Sequence, residues 1–341
     1  APAAQLAYSA LRCRTHLWVS GLEVASRQGG PFVAALEDAL RGGMDLPVAE
    51  IADSIPPREH LCDLAITAML RDRERGMSPA ERAARMKRYA FWLNVAGDSA
   101  GALEAIREAV GIYTELASEN FSTFGPMLAD SLNDLSIWAY MLEGVEVSLD
   151  AAQKAVKNFR KLAKEESVAF PSGMFAMSLI NLSGWLSEVG DCSGSVEAAW
   201  EAVGVYRDLV DEDYSIFSSW LADSLKKLSS RLSDVCDYCG SVEAAWEAVG
   251  VYRDLTHGDQ SAFHFERLAG LLSYLSFRLS EAGDCGGAVG AAREVVEIYC
   301  GLVVKDSATF SSELANSLFS LSIRLSGLGD YGGAVKAIGE A

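Results

Sequence analysis

Residues 194–209 read GSVEAAWEAVGVYRDL, and residues 240–255 repeat these 16 residues without a change, 46 positions later. An identical internal copy of this length indicates that the chain is a repeat array. Repeats with periods of about 20 to 50 residues are typical of solenoids, in which each unit buries its apolar face only against its neighbours. We therefore expect a stack of similar units that presents an extended surface.

Four markers keep a step of 46 or 47 residues, or twice that step, along the chain. Aromatic residues stand at Tyr113, Phe159, Tyr206, Tyr252 and Tyr299, and Leu-Ser pairs begin at Leu135, Leu182, Leu228, Leu275 and Leu321. A phenylalanine recurs at Phe124, Phe170, Phe217, Phe263 and Phe310, and Gly-Asp pairs begin at Gly97, Gly190, Gly283 and Gly329. Because each marker could have drifted separately, their agreement establishes the period.

Within one unit, apolar residues recur at helical spacing in two successive segments. The first segment carries Leu179, Leu182 and Leu186, and the second carries Val196, Ala199, Trp200 and Val203. Gly190-Asp191 lies between them. The glycine can adopt the left-handed conformation that ends a helix, and the aspartate can cap the next helix. Each unit is therefore predicted to be a helical hairpin, joined to the next hairpin by a longer loop such as residues 168–172.

This hairpin pattern resembles the tetratricopeptide repeat. The resemblance is carried by Leu179, Leu182, Ser183, Leu186, Gly190-Asp191, Ser195, Ala199 and Ala202, and it recurs from Leu272 and from Leu318. It implies an all-α, α-α superhelix of helical hairpins, in which small residues such as Ser183 and Ser276 let the two helices of a hairpin approach closely. Tetratricopeptide units usually have about 34 residues, so the chain is similar to the longer-period arrays of large fungal and bacterial signalling proteins.

Residues 1–77 show helical periodicity without the repeat markers, and we expect them to form an N-terminal helical region that caps the array. Ser78-Pro79-Ala80-Glu81 predicts a new helix start, with a capping serine, a proline in the first turn and a glutamate three residues after the serine. Residues 78–341 are predicted to hold five full repeats and a truncated sixth. Because the sixth stops inside its second helix, we expect a fragment of a longer protein.

The net charge of −18 comes from the repeats. Residues 1–88 hold 12 Lys and Arg against 11 Asp and Glu, whereas residues 89–341 hold 17 against 36. Such a field repels phosphate backbones and attracts basic protein segments, so we expect a protein or peptide partner of basic character and no nucleic acid. The alternative is that the acidic helix faces serve only to keep a long array in solution.

The seven cysteines follow no secreted disulfide spacing and no signal peptide is recognisable, which favours a cytoplasmic location. The one uncharged stretch of membrane length, residues 168–187, contains Pro171 and Asn181. It also falls in register with the repeats. We therefore interpret it as a repeat helix and expect no membrane association.

No catalytic residue, metal site or cofactor is predicted. Cys236 and Cys239 have the spacing of a redox or metal motif, but the aligned copies carry glycine or serine there, so sequence drift at a turn explains the pair. The four histidines form no His-Glu-x-x-His pattern.

Two expectations concern the second helix of the hairpins. The spacing of Trp200 and Trp246 places both tryptophans in the packed core. Mid-helix glycines stand at Gly111, Gly204 and Gly250. Since a glycine inside a helix costs about 1 kcal/mol relative to alanine, we expect a close approach of the next hairpin at these positions.

The tetratricopeptide resemblance implies that the first helix of each hairpin lines a concave groove. The candidate groove residues are Phe91, Asn133, Ile137, Tyr140, Met141, Met177, Ile180, Asp223, Lys226, Phe277, Phe319 and Ile323. Aromatic residues, methionines and isolated charges are common on adaptable protein-binding surfaces. The alternative is that these side chains merely pack between repeats.

These observations favour a non-catalytic protein-protein interaction scaffold that binds a peptide or a partner helix in the groove. A second hypothesis is the ligand-sensing arm of a larger signalling ATPase of the STAND or NLR type, or of a protease, of which this chain would be a fragment.

Overall fold

The computed structural model describes residues 61–72, 77–164, 170–258 and 261–341, together with six isolated positions between 33 and 55. Within these ranges the chain is helical and contains no strand. The chain divides into two compact units, Ala1–Phe170 and Pro171–Ala341. Most of the predicted N-terminal cap lies outside the described residues.

The described residues form successive helical hairpins. The expectation of a longer loop between hairpins is wrong at three junctions, where the single residues Asn120, Asp213 and Asp306 join one hairpin to the next. Of the predicted loop at residues 168–172, residues 168 and 169 lie outside the described residues. In the first unit, α1 (Cys62–Asp72) precedes the hairpins α2 (Pro79–Val95) with α3 (Ser99–Glu119) and α4 (Phe121–Glu143) with α5 (Val145–Leu162). The second unit contains α6 (Ser172–Glu188) with α7 (Cys192–Glu212), α8 (Tyr214–Asp234) with α9 (Tyr238–Gly258), α10 (Ala262–Glu281) with α11 (Cys285–Lys305), and α12 (Ser307–Leu328) with α13 (Tyr331–Glu340). We call α2, α4, α6, α8, α10 and α12 the first helices, and their partners the second helices.

The helix boundaries are set by the residues predicted for them. The Ser78 backbone N–H donates to the Glu81 carboxylate at 2.8 Å, and the Glu81 N–H donates to the Ser78 hydroxyl, which completes a capping box. Gly190 adopts a φ of +82°, and the Asp191 carboxylate then accepts the Gly194 N–H at 2.9 Å. Cys236 takes the glycine's place in one turn with a φ of +63°, a conformation that is uncommon for a side-chain-bearing residue.

The two helices of each hairpin cross where both carry a small buried residue. At one crossing the Ser195 hydroxyl donates to the Ser183 carbonyl at 2.7 Å, and the two hydroxyl oxygens are 3.2 Å apart. The paired helices also contact each other at Ser229/Ser241 and at Ser276/Ala288. The matching positions of the other hairpins hold small residues too, and no residue of the six pairs is more than 4% exposed: Ala90/Ala102, Ser136/Ser148, Ser183/Ser195, Ser229/Ser241, Ser276/Ala288 and Ser322/Ala334. This close approach is the one that the sequence predicts from Ser183 and Ser276.

Aromatic residues of the second helices fill the core between hairpins. Tyr113, Phe159, Tyr206 and Tyr252 are buried, and Tyr299 is partly buried against the same core as Tyr206. The Tyr206 hydroxyl lies 3.4 Å from the Gly173 carbonyl. Burial, with a smaller contribution from the nearby Asp223 carboxylate, raises the pKa of Tyr206 to about 12. The aromatic residue that recurs with the repeat period is therefore a structural residue.

The expectation that Trp200 and Trp246 belong to the core is wrong. Their exposed fractions are 46% and 43%. On α7 the buried stripe consists of small and aliphatic residues with one tyrosine, namely Ser195, Ala198, Ala199, Ala202, Val203, Tyr206 and Leu209. Trp200 follows the buried Ala199 by one residue, so its side chain is turned about 100° around the helix axis from that of Ala199 and lies outside the stripe.

The expectation of a close approach at the mid-helix glycines is also wrong. A Cβ added to Gly111, Gly204 or Gly250 would meet nothing within 4 Å, because these positions lie away from the packed stripe. Two other repeats carry Lys157 and Glu297 at the same place, so the fold accepts a long side chain there. Packing therefore does not explain the glycines.

Candidate partner-binding surface

Most of the predicted groove residues lie on an open face of the first helices. The exposed ones are Phe91, Ile137, Tyr140 and Met141 in the first unit, and Lys226, Phe277, Phe319 and Ile323 in the second. Met177, Ile180 and Asp223 are half-buried. We call the face of the first helices that carries these side chains, taken separately in each unit, the first-helix surface.

Asn133 is the exception and does not belong to this surface. It is buried within the first unit. It lies in a buried run of α4, between Leu132 and Leu135, and its carbonyl accepts the Ser136 hydroxyl at 2.7 Å. The helical register therefore turns Asn133 inward, and its prediction as a groove residue is corrected.

Neighbouring first helices of the second unit are joined by polar contacts beside this surface. The Tyr274 hydroxyl of α10 donates to the Lys226 carbonyl of α8 at 3.2 Å, and the Lys226 ammonium group lies 5.4 Å from the centre of the Tyr274 ring. Arg231 of α8 donates to the Ser187 hydroxyl of α6 at 2.8 Å. These contacts hold the first helices side by side, which gives the surface a fixed spacing.

An aromatic and cationic cluster continues the first-helix surface from α10 to α12. The guanidinium group of Arg278 lies 4.9 Å from the centre of the Phe277 ring, and Arg324 of α12 lies 5.8 Å from the same ring. Arg278 also pairs with Glu281 at 2.6 Å. Phe319 and Ile323 add exposed apolar area on α12. This part of the surface therefore combines a wide apolar area with fixed charges.

The first unit holds a cavity of about 380 Å³ beside Phe91. Its lining includes Lys87, Tyr113, Asp130 and Asp134. The Lys87 ammonium group donates to the Asp130 carboxylate and lies 3.1 Å from the Asp134 carboxylate. Two carboxylates therefore face one ammonium group, and the cavity has no excess of positive charge with which to bind an anion.

The pKa values in this cavity reflect burial opposed by the ion pairs. Burial acts to lower the pKa of Lys87, but Asp134 and Asp130 outweigh it, so the pKa of Lys87 is raised. Burial raises the pKa of Asp134, while Lys87 opposes the rise and Asp130 adds to it. Burial also raises the pKa of the Tyr113 phenol. The cluster is a mutually compensated ion-pair network between α2 and α4.

The described residues offer no grouping that indicates a metal site or a membrane-spanning helix. Cys236 at the turn before α9 and Cys239 in the first turn of α9 are both free and exposed. In the ranges that the structure covers, no three His, Cys, Asp or Glu side chains are grouped so that they could hold a metal ion. None of the described helices has both the length and the apolar character needed to cross a bilayer.

No family model matches the chain, and no curated protein matches it. Solved structures of similar fold do exist. A signal transduction ATPase with numerous domains (STAND) and a tetratricopeptide repeat sensor, from Pyrococcus horikoshii, is 13% identical with a TM-score of 0.62, covering 97% of this chain and 46% of that chain. A variant of the kinesin light chain tetratricopeptide-like repeats of Podosopora anserina is 13% identical with a TM-score of 0.51, covering 67% of this chain and 99% of that chain.

Aspartyl phosphate phosphatase F from Bacillus subtilis is 12% identical with a TM-score of 0.51, covering 94% of this chain and 72% of that chain. These likenesses show that the fold is all-α and tetratricopeptide-like, as the resemblance implied. The chain spans less than half of the Pyrococcus horikoshii protein.

The cavity beside Phe91 yields a prediction about titration. The pKa of Asp134 should lie above its ordinary value of 3.8. Lys87→Met should raise this pKa further, because the ammonium group favours the carboxylate form, and Asp130→Asn should lower it. The titration of the side-chain carboxyl carbon, followed by NMR, measures both shifts.

The same pKa has a defined effect on stability. Because the folded-state pKa of Asp134 exceeds the unfolded value, the group's stabilising contribution is complete below pH 3.8 and is lost as the pH rises through the folded-state pKa. In the NMR titration, a pKa of Asp134 at or below 3.8, or a lower pKa in Lys87→Met than in the wild type, would contradict the described geometry.

Proposed function

We propose that this chain is a non-catalytic interaction scaffold that binds a peptide or a partner helix along its first-helix surface. The observation that carries the proposal is the group of large apolar side chains exposed on neighbouring first helices, Phe277 on α10 with Phe319 and Ile323 on α12. Exposed apolar groups that share one face commonly mark a site of protein interaction. Shallow contacts along several helices suit a segment that lies across the repeats.

The charge of the array supports a basic partner. Residues 89–341 carry 17 Lys and Arg against 36 Asp and Glu, so the field around the surface attracts cations. Nucleic acid would be repelled by this field. A cytoplasmic location is part of the proposal, since the cysteines in the described ranges are free thiols.

Comparison of two adjacent repeats supports recognition by the first helices. The buried residues Leu179 and Leu182 of α6 recur as Leu225 and Leu228 in α8. In contrast, the outer positions change, from Met177 and Ile180 in α6 to Asp223 and Lys226 in α8. A scaffold that is retained while its outer residues vary is expected of a surface that reads different parts of one partner.

We expect binding to depend on the apolar groups of α12. Peptides selected from a random phage-displayed library on the wild-type protein should lose affinity roughly tenfold for Phe319→Ser and for Ile323→Ser, because a central apolar anchor contributes that much or more. Fluorescence anisotropy of a labelled synthetic peptide measures the dissociation constants.

The matched control is Val304→Ser, which removes an apolar side chain that is 87% exposed on the second helix α11. This variant should bind as the wild type does. Peptides that bind Phe319→Ser and Ile323→Ser with unchanged affinity would remove the first-helix surface as the binding site.

A second candidate function is the sensing arm of a larger signalling ATPase or protease. It is favoured by the likeness to the Pyrococcus horikoshii ATPase, of which a tetratricopeptide repeat sensor is a named part. If it is correct, an antibody raised against this chain should detect a native polypeptide far larger than 36.5 kDa. A native polypeptide of about that mass would exclude this candidate and leave the scaffold proposal intact.

A further inference from the structure

The second helices α7 and α9 carry two tryptophans on an open face. Trp200 is 46% exposed and Trp246 is 43% exposed. Aromatic side chains of this size are the ones most enriched at the centres of protein interfaces. The core does not require them, since the same position holds Gln153 in α5 and Arg293 in α11.

Each tryptophan is followed one helical turn later by a bare stretch of backbone. Gly204 follows Trp200 by four residues, and Gly250 follows Trp246 by four. Residues four apart lie on the same helix face. A Cβ at either glycine would meet nothing within 4 Å, so the helix surface one turn from each tryptophan is open and carries no side chain. We call each of these open positions a notch.

Ion pairs connect the two tryptophan-bearing helices to each other and to the next second helix. Arg207 of α7 binds Glu247 of α9 through two hydrogen bonds of 3.0 and 2.7 Å, and Arg253 of α9 binds Glu294 of α11 at 2.7 Å. The guanidinium group of Arg207 lies 6.0 Å from the centre of the Trp200 ring. These bridges hold both indoles at a fixed separation along the array, as a preorganised interface requires.

The identical segments 194–209 and 240–255 include exposed residues of α7 and α9 as well as their core residues. Between α7 and α9 the outer residues Glu197, Trp200 and Arg207 recur without change as Glu243, Trp246 and Arg253. The neighbouring first helices α6 and α8 changed their outer residues. The outer face of the second helices is therefore retained in a part of the chain where exposed positions elsewhere have diverged.

The acidic charge of this face indicates a partner of basic character. Together α7 and α9 contain eight Asp and Glu residues against two arginines, and both arginines are already paired with glutamates. The carboxylates of Glu197, Asp208, Glu243 and Asp254 are exposed on the same two helices. An occupant must bring positive charge together with apolar groups that cover the indoles.

We propose that Trp200, Gly204, Trp246 and Gly250 form a second docking surface, on the second helices, for a basic protein segment. Two apolar side chains of that segment would each cover an indole and enter the adjoining notch, and its Lys or Arg side chains would face the exposed carboxylates. The surface spans two repeats, since α5 and α11 lack the tryptophan. It does not depend on the first-helix surface.

The test uses a phage-displayed random peptide library that is first depleted on the double variant Trp200→Ser/Trp246→Ser and then selected on the wild-type protein. The recovered peptides should be rich in Lys or Arg and in large apolar residues. A synthetic copy of one such peptide should bind the wild type roughly tenfold more tightly than either single variant. Added salt should weaken its binding.

The matched control is Trp220→Ser, which removes a tryptophan of similar exposure from the first helix α8 and should leave binding unchanged. Phe319→Ser should also leave it unchanged, which separates this surface from the first-helix surface. Recovery of no peptide that depends on the tryptophans, or of peptides that are acidic, would overturn the proposal.

A second variant separates binding from folding. Gly204→Ala/Gly250→Ala should raise the melting temperature, because alanine favours the helix more than glycine does. The same change should weaken peptide binding severalfold, because the added methyl groups fill the notches. Tighter or unchanged binding by this more stable variant would contradict the role of the notches.

Discussion

The fold depends on the close approach of two helices at one small residue on each. In every described hairpin this crossing is made by serine or alanine, and in two hairpins serine hydroxyls on the two helices lie within 3.2 Å of each other. Protein interiors are closely packed and tolerate few extra methylene groups. The crossing therefore limits how far apart the two helices of a hairpin can lie at that point, and it sets which residues of each helix face the partner helix.

Once the hairpin geometry is fixed, each helix has one buried stripe and one free face. The stripes pack against the next hairpin through residues such as Tyr206 and Tyr252. The free faces of the first and second helices differ in how much their residues change from one repeat to the next. Outer residues of the first helices vary between repeats, as expected for reading a heterogeneous partner, whereas the outer residues Glu197, Trp200 and Arg207 of α7 recur unchanged in α9. Two kinds of surface can thus be carried by one scaffold.

Much of the fold could be predicted from the sequence because its determinants are local and periodic. The turn at Gly190-Asp191, the capping box at Ser78 and the crossing serines each depend on a few adjacent residues, and the 46-residue period repeats them. The aromatic residues of the core, such as Tyr206 and Tyr252, recur with the same period. The exposed faces of the first helices followed from the resemblance to the tetratricopeptide repeat.

The errors share a cause, which is the uncertain edge of an apolar stripe. Trp200 is large and apolar, but it lies beside a buried stripe of small and aliphatic residues with one tyrosine, and the packing of α6 and α8 against α7 decides which residues are covered. Asn133 is the converse case, a polar residue that the register of α4 turns inward. Ion pairs such as Arg207 with Glu247 depend on distances between repeats that no single unit encodes.

The crossing constraint is tested most directly by the stability of two variants at Ser183, followed by circular dichroism during urea denaturation. Ser183→Ala should cost no more than about 1 kcal/mol, because Ser195 keeps its hydrogen bond to the Ser183 carbonyl and other repeats carry alanine at this crossing. Ser183→Leu should cost at least about 1 to 3 kcal/mol more, because the helices must separate to admit it. Equal stability of the two variants would show that the close approach does not govern the fold.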